Sequence, residues 1–552
     1  MKRIVFLIIA TLLVLGLILP GCGTPGPTPR PKIVIGVPYP FGDIQGTNLL
    51  AGAQMAAAEI NAAGGVNVTT GNTTTYDIQI VGRNDNEIAD AANAWKAVDY
   101  LINTAGAKFI VGGFRTEAAI PMLTQVFATE TPSVPFLITG SATAELLSGL
   151  GLLYPSPSGN WPLGSGTPYF EANSTTSGFY KYIFRTTPFN TGFLLAAVFG
   201  MFTQVAQQIQ SDAGWGWNGT AWPNRVRVAV VGENLTWAAP IVGGLAALVS
   251  AYKDAFGWNY TLTRTFSDKA DSGVVAAALD AVQAAQNQII LTVMSGPVGI
   301  TFGTQMGARN ITAIPVGINV EAQGLNYYAS TQYSPGKYGS SYEVTLGTYA
   351  QGVNTTGKTA KFLADYQTFT GGAFPIYTAA SYDAVYAIKE AIVGTNSLDI
   401  DLISDYMRAT PRESTSMPAQ FYPVWDQVTH NTSSGRELPA QNSTVIAALY
   451  AANGYDAAFN FTMHPYTTND LVFGPGYATG IGVQWINTTQ VAMWPKAGFD
   501  APLGPLGYKP QTTMTRKLCG LNWSNTFTYP GILSAVIPAA YVTQWQTWFP
   551  YP

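Results

Sequence analysis

A two-lobed α/β architecture is predicted by three observations. Short β-branched runs alternate with segments of helical period, the alternation starts twice, and a polar stretch rich in Gly and Pro separates the two series. Strands separated by helices of ten or more residues build βαβ units, and hence parallel sheets with helices on both faces.

The first series opens with Lys32 to Val37 (KIVIGV), a strand, followed by Asn48 to Ala62, where Leu49, Ala53, Met55, Ala56 and Ile60 recur at helical spacing. Tyr76 to Val81 reads as the next strand, Ile88 to Thr104 as a helix and Phe109 to Val111 as a strand. A helix is expected after Thr116, then a strand at Val134 to Ile138. The separating stretch runs from about Ser148 to Ser177. In the second series Val226 to Val231 (VRVAVV), Tyr260 to Phe266 and Ile289 to Val293 read as strands, with helices at Ala238 to Phe256 and Val274 to Ala285. Open α/β sheets take ligands at the carboxyl ends of their strands, so a cleft between the two lobes is the expected site.

The N-terminus has the layout of an export signal: Lys2 and Arg3 precede an uncharged apolar run from Ile4 to Leu19. The run ends in Leu19, Pro20, Gly21 and Cys22, which resembles a lipobox, so Cys22 is the expected lipidation site. Residues 23–31 alternate Gly, Pro and Thr and suit a stiff tether. The alternative is an uncleaved anchor helix, slightly short of the roughly 20 residues a span needs. Either way the bulk of the chain is expected outside the cytoplasm, held at the outer face of the cytoplasmic membrane.

With 27 basic and 31 acidic residues the chain carries a net charge of −4, which gives no basic footprint for nucleic acid. Cys519 has no partner if Cys22 is lipidated, so disulfides are not expected to stabilise the fold. Asn-X-Ser/Thr acceptors are spread along the whole length, from Asn67 to Asn522, and read as an exposed and glycosylated surface.

The segments KIVIGVPYP, AGAQMAAAEINAAGGV, KFIVGGFRTEAAIPMLTQVF, VPFLITGSATAELL, YKYIFRTTPFN, ASYDAVYAIKEAI and VQWINTTQVAMWP resemble, in that order, the branched-chain amino-acid-binding (Leu/Ile/Val-binding) proteins of ABC importers. The likeness runs from about Lys32 to Pro495. It implies the type I periplasmic binding protein fold, two Rossmann-like lobes joined by three crossovers. By this likeness the first lobe holds residues 32–184 and 345–465, and the second 185–344 and 466–500. The stretch 397–466 then looks like an insert and 501–552 like a C-terminal extension.

The resemblance also implies a site. Thr116 in GGFRTEA, with Ser141 and Thr143 in TGSAT, would hold a ligand carboxylate at strand-to-helix turns, where a Ser or Thr otherwise serves as a helix cap. Arg115 stands beside that turn and can pair with a carboxylate. From the second lobe Trp237 would supply a covering ring, and Ser295 with Gly296 a turn. The family's acid for the ligand ammonium falls on Asn319, which carries no charge, so the ammonium would need Glu321, Glu233 or Asp43. Gln45 stands where an aromatic residue often stacks on the ligand. The implied function is capture of a small amino-acid-like or carboxylate-bearing solute and its delivery to an ABC permease. A surface-layer or adhesive glycoprotein, or a sensory ectodomain, is the alternative.

Gly352 to Thr359 (GVNTTGKT) satisfies the P-loop pattern, but an exported chain meets no cytoplasmic nucleotide and Asn354 is itself a glycan acceptor. The two histidines, His430 and His464, lie far from any Cys or nucleophile-elbow sequence, so neither a metal, a cofactor nor catalysis is expected.

Overall fold

The computed structural model describes residues 29–123, 134–140, 182–187, 191–216, 218–334, 337–340, 342–410, 412–416, 418–419, 480–486 and 488–494, with a small hairpin at 516–518 and 521–523. The first sheet contains β1 (Lys32–Tyr39), β2 (Val66–Thr70), β3 (Asn72–Asn84), β4 (Phe109–Gly112), β5 (Phe136–Ile138) and β6 (Ile183–Arg185). Its order is β2-β3-β1-β4-β5-β6. Every neighbouring pair is parallel except β2 with β3.

The second sheet starts with β7 (Val226–Glu233), β8 (Trp258–Phe266), β9 (Ile289–Met294) and β10 (Ile314–Asn319). A side hairpin of β11 (Gln332–Ser334) and β12 (Lys337–Tyr338) precedes β13 (Val344–Gly347). The short pair β14 (Arg412–Glu413) and β15 (Pro418–Ala419) follows, then β16 (Ile481–Ile486) and β17 (Thr489–Trp494). The sheet runs β17-β16-β13-β10-β9-β7-β8, with β16 and β17 antiparallel additions at one edge. Its central strands β9 and β10 are buried along their full length, as parallel strands covered on both faces must be.

The chain passes between the sheets three times. It leaves the first after β6, and returns after β13 through helices Thr359–Thr370 and Ser381–Thr395. Ala384, Val385, Ile388 and Ile392 of the latter share a core with Ile33, Ile35, Leu49 and Ala53 of the first series. The chain then goes back to the second sheet as β16 and β17. Burying such aliphatic side chains contributes about 1.5–3 kcal/mol each.

The two lobes, each a mostly parallel sheet with covering helices, are the architecture that the alternation predicts. Three local features differ from the sequence expectation. β2 and β3 form a hairpin turning at Gly71, whose φ of +88° suits glycine, because VNVTT and NTTTYDI are both rich in β-branched residues. The helix expected over 88–104 is broken into Glu87–Asp90, a 3₁₀ turn and Trp95–Asn103, with Asn86 before it in a left-handed conformation. The start of the expected insert is integral to the first lobe: helix Ile400–Ala409, capped by Asp399, buries Ile403 and Met407 in that lobe's core.

Candidate ligand-binding site

The carboxyl ends of the two sets of strands meet, and the loops that follow them carry the polar residues. After β1 come Asp43 and Gln45, after β3 Asp85 and Glu87, and after β4 Arg115, Thr116 and Glu117. From the second sheet, Glu233 ends β7, Asp268 follows β8, Ser295 and Gly296 follow β9, and Glu321 follows β10.

Polar contacts that join the lobes include Tyr377 N–H donating to Gln323 Oε1 at 3.4 Å and three near the cleft. Arg115 Nη1 donates to Asp268 Oδ2 at 2.6 Å, with both side chains buried. Gln45 Nε2 donates to the carbonyl of Ser295, and Thr236 N–H donates to Glu117 Oε1. Gln45, expected at a ligand-stacking position, thus serves as an interlobe donor.

Ser295 and Gly296 are turned toward Glu233. Ser295 N–H and Gly296 N–H donate to Glu233 Oε1 at 2.8 Å each, and Ser295 Oγ to Oε2 at 2.7 Å. Burial raises the Glu233 pKa, while Arg115 and these donors hold it down. Gly296 keeps this contact close, since a Cβ there would lie 3.0 Å from Arg115 Nη2, which would have to give way.

Thr116 is buried at the first turn of helix Thr116–Met122. Gly140 brings the second turn against it: a Cβ at 140 would lie 2.3 Å from the Cα of Phe114, an approach open to glycine alone. Ser141 and Thr143, just beyond, lie outside the described residues, as does Cys22. Trp237 is 1% exposed and belongs to the second lobe's core. With Gly140, Ile318, Gln323 and Tyr377 it lines a cavity of about 20 Å³, room for about one water. Its indole N–H has no partner among the described residues.

Asn319 looks inward. Its Nδ2 donates to Glu343 Oε1 at 2.8 Å and to Tyr327 Oη at 2.9 Å, while Tyr327 Oη donates to Glu343 Oε2 at 2.6 Å. Burial lifts Glu343 to about 7 against these hydrogen bonds. Glu321, two residues on, faces the cleft: burial first, then the charges of Asp43 and Glu233, lift it to about 7.

The site holds carboxylates that the sequence reading missed, among them Asp85, Glu87, Glu117 and Asp268. Asp85 and Glu87 are buried side by side, and burial pushes both upward. Arg115 sits among Glu233, Glu87 and Asp268, whose charges raise its pKa against the desolvation that lowers it. Each of these residues lies within a few positions of a strand's carboxyl end, which is the signal that could have found them.

The P-loop-like stretch is closed within the chain. It lies between β13 and helix Thr359–Thr370, where Gly357 N–H donates to Glu413 Oε1 at 2.5 Å and Lys358 Nζ to the Glu413 carbonyl at 2.6 Å. Its loop amide is therefore taken by a carboxylate of the protein itself.

No family model and no curated protein matches the sequence. Solved structures do. A leucine-binding protein from Thermotoga maritima superposes with a TM-score of 0.53 at 12% identity, covering 84% of this chain and 97% of its own. The chain has the type I periplasmic binding protein fold. A second structure of this fold, a putative branched-chain amino acid ABC transporter protein from Silicibacter pomeroyi, gives 0.52 at 15% identity over 86% of this chain and 100% of that one. A solute-binding protein of an ABC transporter from R. palustris, in complex with benzoate, gives 0.50 at 15% identity over 71% and 89%. Among the described residues no helix is long and apolar enough to cross a membrane.

Proposed function

We propose that this chain is an extracytoplasmic solute-binding protein that captures a small amino-acid-like or carboxylate-bearing solute between two closing lobes and delivers it to an ABC permease. The observation that carries this reading is the convergence of both lobes on one polar cleft, bridged by Arg115 and Asp268. In this reading the lobes are residues 32–184 with 345–465 and 185–344 with 466–500, except that β13 (Val344–Gly347) pairs with β10 and β16 and so belongs with the second lobe. Thr116, Ser141 and Thr143 hold a carboxylate, and Glu321 with Asp43 receives an ammonium, the part that Asn319 does not play. A lipid on Cys22 would keep the protein at the outer membrane face.

Hinge closure follows from differential binding: a solute that touches both lobes favours the closed form by the contacts it makes only there. A thermal-unfolding screen of residues 29–552 against neutral, acidic and basic amino acids, amides and short aromatic carboxylates tests the reading. A solute at a hundred times its dissociation constant adds about 2.7 kcal/mol and raises the midpoint. Silence across the panel would favour a surface glycoprotein instead. That second reading has its own support, because Asn67, Asn72, Asn218, Asn234, Asn259, Asn310 and Asn354 are all exposed.

A further inference from the structure

The cleft is unbalanced in charge. Asp43, Asp85, Glu87 and Glu117 approach from the first lobe, and Glu233, Asp268 and Glu321 from the second. The cation they share is Arg115, which acts on Asp43, Asp85, Glu87 and Glu233 and is itself bonded to Asp268. Asp43 of one lobe and Glu321 of the other repel across the gap, as do Asp43 and Asp268. Closing two such surfaces with Arg115 as the one cation among the described residues that acts on them is electrostatically uphill.

A second observation concerns hydrogen bonds. Glu87 Oε1, Asp85 Oδ2 and Glu117 Oε2 are buried acceptors with no donor among the described residues, and Asp85 and Glu87 are 3% and 2% exposed. These oxygens belong to neighbouring groups: Glu87 N–H donates to Asp85 Oδ1 at 3.2 Å, and the Glu117 charge acts on Glu87. Leaving a buried acceptor unpaired carries a desolvation penalty that grows when the group is charged. Arg115 Nε and Nη2 are buried donors without an acceptor among the described residues, and neither reaches these oxygens, so the cleft lacks positive charge to match its acids and donors aimed at these three atoms. Ammonium and guanidinium groups supply the two together, with three and five donors respectively. Among the described residues no group of three or more Asp, Glu, His or Cys converges closely enough to hold a metal ion.

We infer that the cleft selects a small solute of net positive charge, a basic amino acid or diamine with one cationic group held by Asp85 and Glu87 and the other facing Glu321 and Asp43. The inference rests on the solute-capture reading and narrows its substrate class. The amino-acid carboxylate, where present, goes to the Thr116 turn, and the added cation offsets the acids that Arg115 leaves uncompensated.

Calorimetry on residues 29–552 at pH 7.5 tests this with four probes: L-arginine, 1,4-diaminobutane, L-leucine and benzoate. The expected result is binding of arginine or the diamine at least tenfold tighter than either of the others. In the isosteric double variant Asp85→Asn/Glu87→Gln that affinity should fall at least tenfold, with cooperative unfolding of the free variant showing that the fold is kept. Leucine or benzoate binding as tightly as the cations overturns the charge inference while solute capture stands. Undiminished arginine binding in the folded double variant overturns it as well. Silence from all four probes and from the wider screen overturns both readings. Should the double variant not fold, Glu321→Gln alone carries the same comparison.

Discussion

Arg115 of the first lobe and Asp268 of the second are held 2.6 Å apart, nitrogen to oxygen, with both side chains buried at the mouth of two strands that belong to different sheets. The pair is a lobe-to-lobe lock whose cation also serves Glu87 and Glu233. Removing the cation leaves at least three buried or half-buried carboxylates without compensation. Arg115→Met is therefore expected to cost about 3–5 kcal/mol, the scale for breaking a buried pair from one side. Urea unfolding at pH 7.5 checks it; a loss under about 1 kcal/mol would mean that the lobes do not depend on this contact.

Asn319 gives a prediction that separates a structural role from a ligand-binding one. Its amide donates to Glu343 and Tyr327 inside the second lobe, and its Oδ1 lies 2.2 Å from where a Cβ on Gly299 would stand. Placing at this position the acid that the sequence resemblance implies, with Asn319→Asp, puts a carboxylate against Glu343 and removes two donors. We expect a lower unfolding midpoint at neutral pH, by at least the about 1–3 kcal/mol of an unsatisfied buried group. The penalty should shrink toward pH 5 as Glu343 takes up a proton. A variant that is fully stable at pH 8 and gains amino-acid affinity would place this side chain in the cleft.

The pH dependence of the ligand-free protein has a definite sign. Glu321 and Glu343 titrate near 7 in the fold, and burial raises Asp85 and Glu233, against an ordinary value near 4 to 4.5 in the unfolded chain. Between these values the folded state binds more protons than the unfolded one, so stability rises as pH falls through about 7 and levels off near the unfolded pKa. Arg115 faces Asp85 and Glu233 and moderates their part, whereas Asp43 and Glu233 reinforce that of Glu321. Thermal midpoints measured from pH 8 to pH 5 should climb. A midpoint that falls over this range would mean that the carboxylates are charged and paired in the closed protein.

Much of the architecture is legible in the sequence because it rests on local periodicity. KIVIGV and VRVAVV become β1 and β7, and each run of helical spacing that follows becomes a covering helix. The hairpin of β2 and β3 was not read, because threonine-rich strands on a half-exposed edge lack an apolar alternation. The stretch over 400–409 was placed in the first lobe but read as an insert and not as a core helix, since its partners Leu49 and Ala53 are some 350 residues away in sequence.

The site is legible in a different measure. Positions that belong to short motifs, such as Thr116 and Ser295, can be found from the order of segments. The acidic lining has no motif: Asp43, Asp85, Glu117, Asp268 and Glu321 are spread over nearly 300 positions and are brought together by strand ends. Sequence also says nothing of how a motif residue is used. Ser295 spends its hydroxyl and its amide on Glu233, and Asn319 turns away from the cleft, both for reasons set by partners distant in the chain.

The measurement that tests the interlobe cleft as the solute site most directly uses Gly296, whose missing side chain lets Arg115 and Glu233 approach. Gly296→Leu would wedge the lobes apart at that contact while leaving each sheet intact. The thermal-midpoint shift given by the best solute of the screen is compared in the parent protein and in this variant. The account predicts a shift that is present in the parent and lost in a variant that still unfolds cooperatively. An equal shift in both proteins would contradict it and place the solute elsewhere.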